Sequence, residues 1–122
     1  MDIQQIKNLI RNVPDFPKKG IQFKDITTIL MNPDAFKFVI NLFHDHYKNL
    51  SIDVIVGIES RGFIFGAPLA IELDCPFVLA RKPGKLPSEI ISQDYALEYG
   101  FDSLQIHKDS IKMDENVLII DD

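Results

Sequence analysis

The run Ile52-Asp53-Val54-Ile55-Val56-Gly57-Ile58 is apolar almost throughout and constrains the fold more than any other stretch. A strand that does not alternate is buried on both faces, which is the habit of parallel sheets covered by helices. The segments next in the chain agree with such a sheet. Residues 62–73 read as a helix despite Gly66 and Pro68, and Pro76 to Ala80 is a second short apolar run. Strand, helix and strand in that order imply a right-handed βαβ unit. Asp114-Glu115-Asn116 then turns the chain into Val117-Leu118-Ile119-Ile120, another buried strand, which leads into Asp121-Asp122. Open α/β sheets bind ligands just beyond the carboxyl ends of their parallel strands. The acid pair at 121–122 and the turn at 57–62 both fall there.

The remaining segments are shorter and more local. Ile3, Ile6, Ile10 and Val13 recur at helical spacing, so residues 2–12 read as an amphipathic helix. Pro14 and Pro17 enforce an extended turn. Gly20 permits a tight reversal into Ile21-Gln22-Phe23-Lys24-Asp25-Ile26, which alternates like an edge strand. Asn32-Pro33-Asp34 is a helix start, with a capping side chain, proline at the first helical position and an acid in the first turn. Phe36, Val39, Ile40, Phe43, Tyr47 and Leu50 carry that helix for over four turns. After Ala80 comes a basic, proline-punctuated loop, 81–87. The runs Gln93–Tyr99 and Ser103–His107, separated by Gly100-Phe101-Asp102, then read as an antiparallel hairpin.

Composition narrows the class. At 122 residues the chain is one domain or part of one. Thirteen basic against eighteen acidic side chains give a net charge of −5, against a general nucleic-acid binder and compatible with a small anionic substrate. Cys75 is the only cysteine, so no intrachain disulfide exists and a reducing cytoplasm is expected. The N-terminus lacks the basic start and apolar run of a signal peptide. The longest uncharged, largely apolar stretch, Gly62 to Ile71, is far short of the ~20 residues that span a bilayer. No membrane association is expected.

Several residues carry chemistry that has an ordinary structural reading beside it. Gly57 and Gly62 let backbone N–H groups approach an anion at a helix start, with Arg61 as a two-donor clamp; the same residues also make an ordinary βα turn. Arg81, Lys82 and Lys85 are either a second cation cluster or a solvated loop. Glu98 follows the apolar Tyr95-Ala96-Leu97, which suits a carboxylate raised in pKa for proton transfer or an exposed strand acid. Phe23, between Gln22 and Lys24, is either a platform for a heterocyclic base or a core ring. Asp121 and Asp122 can hold Mg²⁺, accept hydrogen bonds from sugar hydroxyls, or be solvated. His44 and His46 lie two apart on a helix, on opposing faces, and do not chelate a metal together.

Taken together, five segments in order resemble the adenine phosphoribosyltransferases of the type I phosphoribosyltransferase family. They are Phe16-Pro17 through Gly20-Ile21-Gln22-Phe23-Lys24-Asp25-Ile26-Thr27, Ser60-Arg61-Gly62-Phe63-Ile64-Phe65-Gly66-Ala67-Pro68, Arg81-Lys82-Pro83-Gly84-Lys85-Leu86-Pro87, Leu97-Glu98-Tyr99-Gly100, and Val117-Leu118-Ile119-Ile120-Asp121-Asp122. The resemblance implies an α/β fold of a parallel sheet flanked by helices, with an N-terminal hood and a β-hairpin flexible loop. It implies transfer of the phosphoribosyl group from phosphoribosyl pyrophosphate to adenine, giving AMP and pyrophosphate with Mg²⁺, in a cytoplasmic homodimer. Phe23 then stacks on adenine, with the Gln22 backbone and Lys24 beside it. Glu59, Ser60 and Arg61 belong to the pyrophosphate turn, whose Glu59–Ser60 peptide is expected to be cis. Arg81, Lys82, Lys85 and Tyr99 hold the sugar donor, Arg81 being a residue that the partner subunit can supply. Glu98 exchanges a proton with the purine, and Asp121 and Asp122 hold the ribose hydroxyls. No residue is assigned directly to the metal.

The sequence departs from the family pattern at Lys19, where proline is common, at Gln22, where an aliphatic residue is common, and at Lys24, where arginine is common. Lys24 lacks the arginine fork. The family signature also runs past the two acids into a Thr- and Gly-containing loop that cradles the 5′-phosphate. The expectation is therefore one domain with its C-terminal part missing: a hood and base-binding segment at 1–32, and an incomplete core at 33–122 that includes a mobile loop at 81–103. The 122 residues alone are expected to be inactive. A non-catalytic module sensing purine or phosphoribosyl pyrophosphate is the competing reading, and Glu98 with the whole 81–87 loop favours the enzyme.

Overall fold

The computed structural model describes residues 1–122, which form two compact units, Met1–Phe43 and His44–Asp122. No helix is long and apolar enough to cross a membrane.

The first unit begins with helix α1, Ile3–Leu9, shorter than the 2–12 that its spacing predicts. Asp2 and Gln5 form a reciprocal capping box that fixes the start. At Ile10 the backbone turns extended, and Arg11–Pro14 becomes strand β1, paired antiparallel with β2, Gln22–Asp25. Val13 therefore lies opposite Phe23 instead of on a helix face. The cause is the reversal between them: Asp15 and Gly20 both have positive φ, and the Gly20 N–H donates to the Asp15 carboxylate at 2.7 Å. Pairing across this turn wins over a weak helical period. A short helix α2, Thr27–Leu30, comes next without having been expected. Its signal was Asp25, whose Oδ1 accepts from the Thr27 N–H at 2.9 Å and the Thr27 hydroxyl at 2.6 Å.

Helix α3, Pro33–Tyr47, starts as predicted, the Ala35 N–H donating to Asn32 Oδ1 at 3.1 Å. It stops one turn before Leu50, which is exposed.

The second unit is built on a three-stranded parallel sheet in the order β4-β3-β7, with β3 at Val54–Ile58, β4 at Phe77–Ala80 and β7 at Val117–Ile120. Val54, Ile55 and Val56 are buried, as an unalternating central strand requires. Helix α4, Arg61–Leu73, connects β3 to β4 and retains Pro68 inside it. It approaches the sheet closely through two glycines. A Cβ on Gly57 would come within 2.6 Å of the Phe77 ring, and one on Gly66 within 2.7 Å of the same ring. Phe77 fills the space that two missing side chains leave.

Strands β5, Ile90–Leu97, and β6, Gly100–His107, form the hairpin. Its turn is Glu98-Tyr99, not the expected Gly100-Phe101-Asp102, because Leu97 pairs directly with Gly100. Gly100 has φ +141, open to glycine and to few other residues, so it can close a two-residue loop. The hairpin is tied to the sheet where Arg81 and Gln105 exchange backbone hydrogen bonds at 2.9 and 2.8 Å.

Candidate functional site

In the first unit, strand alternation separates the three predicted base-binding residues. Phe23 is half-buried while Gln22 and Lys24 are exposed, so their side chains project from the other face of β2. There they bond to Asn12: its amide donates to Gln22 Oε1 at 2.8 Å, and Lys24 Nζ donates to its oxygen at 3.1 Å. Phe23 instead meets Phe16 edge-on, with ring centroids 5.1 Å apart. With Val13 and Asp25 these rings line a cavity of about 360 Å³. One aromatic face beside a polar edge suits a flat heterocycle. The side chains of Gln22 and Lys24 are not brought to it.

In the second unit the predicted residues gather at the carboxyl ends of the parallel strands. Glu59 and Ser60 join β3 to α4 through a cis peptide. Gly62 lies in the first turn of α4, where a Cβ would stand 2.5 Å from the Ile120 carbonyl oxygen. That closeness seats the helix start against the end of β7 and lets the Arg61 guanidinium donate through Nε to the Asp122 carboxylate. Asp121 Oδ1 accepts the Asp122 N–H at 3.0 Å. Replacing Gly62 by alanine forces the helix start and the strand end apart. The expected cost is about 1–3 kcal/mol, the usual range for overpacking, read as a lower thermal midpoint. An unchanged midpoint would mean that the two elements part without penalty.

The loop cations are all paired within the chain. Glu59, its side chain 11% exposed, accepts from Arg81 Nε and from the Lys82 backbone N–H, each at 3.1 Å, and from Lys85 Nζ. The Lys85 hydrogen bond, helped by the Lys82 N–H and Arg81, lowers the Glu59 carboxyl to about 2 despite its partial burial. Lys82 Nζ bonds to the Asp102 carboxylate and to the Tyr95 hydroxyl, the latter at 2.8 Å, and its pKa is raised chiefly by Asp102. Asp102 and Tyr95 on the hairpin were missed by sequence reasoning. Their signal was their pairing opposite each other on β5 and β6, visible only once the register is known.

Glu98 sits at the hairpin tip, exposed along with Leu97 at 52% and Tyr99 at 91%. The apolar surroundings expected from its sequence neighbours are therefore absent: Ala96 and Leu97 face solvent, and Tyr95 is turned to Lys82 and Asp102.

The first unit thus carries an aromatic cavity, and the second a helix start with an adjoining guanidinium, a cation-bearing loop and two acids at a strand end. Comparison with known proteins points the same way. Residues 25–122 match the phosphoribosyl transferase domain. An adenine phosphoribosyltransferase of Acaryochloris marina is 58% identical over 117 residues, covering 96% of this chain and 69% of that protein. The crystal structure of the enzyme from Thermoanaerobacter pseudethanolicus superposes with a TM-score of 0.96 at 50% identity, covering 99% of this chain and 70% of the other. That from Saccharomyces cerevisiae, complexed with an imino-altritol bisphosphate and adenine, gives a TM-score of 0.91 at 42% identity, covering 98% and 70%. The chain thus spans about 70% of the length of these relatives. At such identity across nearly all of its residues, the chain belongs to the adenine phosphoribosyltransferase family, with the type I phosphoribosyltransferase fold.

Proposed function

We propose that the protein serves purine salvage, moving the 5-phosphoribosyl group from phosphoribosyl pyrophosphate to adenine and releasing pyrophosphate and AMP. The observation that carries this reading is the gathering of Glu59, Ser60, Arg61, Asp121 and Asp122 at the carboxyl ends of β3 and β7, in a chain of this family. Residues 1–32 act as the base-binding hood and 33–122 as the core, with 81–103 as the closing loop. Phe23 stacks on the adenine ring, and the backbone of Gln22 reads its edge. Backbone N–H groups at the start of α4 and the Arg61 guanidinium hold the pyrophosphate. Arg81, Lys82, Lys85 and Tyr99 close over it.

Breaking the ribose–pyrophosphate bond leaves positive charge on the sugar and concentrated negative charge on the leaving group. The fixed donors at residues 60–62 and the loop cations stabilise that group as its charge develops. Loop closure keeps water from the sugar. Glu98 exchanges a proton with the attacking purine, while Asp121 and Asp122 orient the ribose hydroxyls.

The residues fit Mg²⁺ in the way this ion is usually bound, through one or two carboxylates and substrate oxygens rather than a protein cage. Asp121 and Asp122, side by side at the end of β7, would supply such carboxylates. When bound, the ion neutralises phosphate oxygens and orients the donor. The reading also places the protein in the cytoplasm as a homodimer.

Base choice tests the assignment. In the chain continued by the C-terminal portion of the Acaryochloris marina relative, kcat/KM for adenine is expected to exceed that for guanine or hypoxanthine by about a hundredfold or more. Polar recognition of a base edge discriminates on at least that scale. Comparable values for guanine would overturn it.

A further inference from the structure

The loop that carries Arg81, Lys82 and Lys85 has no cation left without an acid of its own chain: Arg81 and Lys85 meet Glu59, and Lys82 meets Asp102. Glu59 is the unusual member. Its side chain is 11% exposed, against 32% for Arg81 and 46% for Lys85. A carboxylate so far out of water needs partners to stay charged. Both of its oxygens turn to the loop: Oε1 accepts from Arg81 and from the Lys82 N–H, Oε2 from Lys85. Its own backbone N–H is bound to the Ala80 carbonyl at 2.9 Å, so the residue is fixed where β3 and β4 end side by side. Glu59 thus occupies, with its negative charge, the place toward which the loop cations converge.

A group of this charge repels a pyrophosphate, so its value to an anion site lies in what it holds. We propose that Glu59 is a positioning residue: without ligand it is the internal counter-ion that draws Arg81 and Lys85 onto the β3–α4 turn, and an arriving pyrophosphate takes these cations over. This rests on the proposed function, in which the loop cations bind pyrophosphate. Two consequences distinguish it from a purely structural role. The loop is tied down in the free protein by charge, and the carboxylate competes with the ligand it helps to receive. Asp102 and Tyr95 keep hold of the Lys82 side chain from the hairpin side, so release of Glu59 frees the loop beyond Lys82 while its start stays held.

The test uses the 122-residue chain, with trypsin cleavage after Lys85 reporting the free loop and calorimetric titration with inorganic pyrophosphate reporting the exchange. Glu59→Gln is expected to speed cleavage at least about threefold, as loss of a local tether raises opening. It is also expected to tighten pyrophosphate binding by about five- to tenfold, the scale of removing a competing ion pair or two. Glu59→Asp, which keeps the charge, should restore both toward wild type. Unchanged cleavage overturns the tether. Faster cleavage with unchanged or weaker pyrophosphate binding overturns the exchange, because Glu59 would then present the cations rather than compete for them. If wild type itself fails to bind pyrophosphate, the proposed function fails, and the tether is decided by cleavage alone. Should Glu59→Gln not fold, wild type is cut after Lys85 at rising salt concentration, with a short Lys-containing peptide as the control for trypsin itself. A tether held by charge gives faster cutting as salt screens it, and an unchanged rate overturns the tether.

Discussion

Glu98→Gln, placed in the chain continued to the length of its relatives, is expected to lower kcat by about two orders of magnitude or more, the scale of losing general acid–base catalysis. Glutamine keeps the shape and one acceptor oxygen but cannot trade a proton with the purine. The loss should therefore fall on the chemical step, leaving the KM for phosphoribosyl pyrophosphate little changed. Exposure strengthens the expectation. Glu98 stands at the tip of a two-residue turn with Leu97 and Tyr99 also in solvent, so it packs no core that the substitution could disturb. Phe23→Ala is the control, because removing the stacking face should raise the KM for adenine while sparing kcat. If Glu98→Gln keeps most of its kcat, the residue only orients the substrate and the proton leaves by another route.

The parallel core was legible because its signal is non-local in effect but local in sequence. Ile52–Ile58 is apolar on both sides of the pleat, and only a covered central strand explains that. The start of α3 was legible for a similar reason, since Asn32 and Pro33 satisfy a helix end by themselves. Where the readings failed, long-range pairing decided. Val13 had a helical period but was captured by β2, and the hairpin turn moved to Glu98-Tyr99 when Gly100 supplied the required φ. The same limit applies to the site. Arg61 and Asp122 are 61 residues apart, and only the closeness of Gly62 to Ile120 brings them together. Each was a reasonable candidate alone; their pairing was not written locally. Gln22 and Lys24 neighbour Phe23 in sequence, but period-two alternation turns their side chains to the opposite face of β2 and leaves the Gln22 backbone next to the ring.

A polypeptide of residues 1–122 alone is expected to make no measurable AMP, whereas the same residues continued by the C-terminal portion of the Acaryochloris marina relative should do so. The resemblance implies a signature that continues past its two acids with a loop that cradles the 5′-phosphate, and about 30% of the length of the relatives lies outside the part matched here. Each charge-assisted hydrogen bond from such a loop is worth about 1.5–3 kcal/mol. Three of them together amount to roughly 4.5–9 kcal/mol, or about three to six powers of ten in binding or rate. The sheet points the same way: on β7, Val117 is 41% exposed and Ile119 63%, apolar side chains that gain from being covered. The longer chain should accordingly melt at a higher temperature as well as turn over. The pyrophosphate contacts proposed for residues 60–62 and the 81–87 loop do not depend on that loop, so the short chain should still bind pyrophosphate while failing to synthesise AMP. AMP synthesis by residues 1–122 at a rate near that of the longer chain would show that the 5′-phosphate is held by groups already present, and that the strand end at Asp121-Asp122 suffices for the donor.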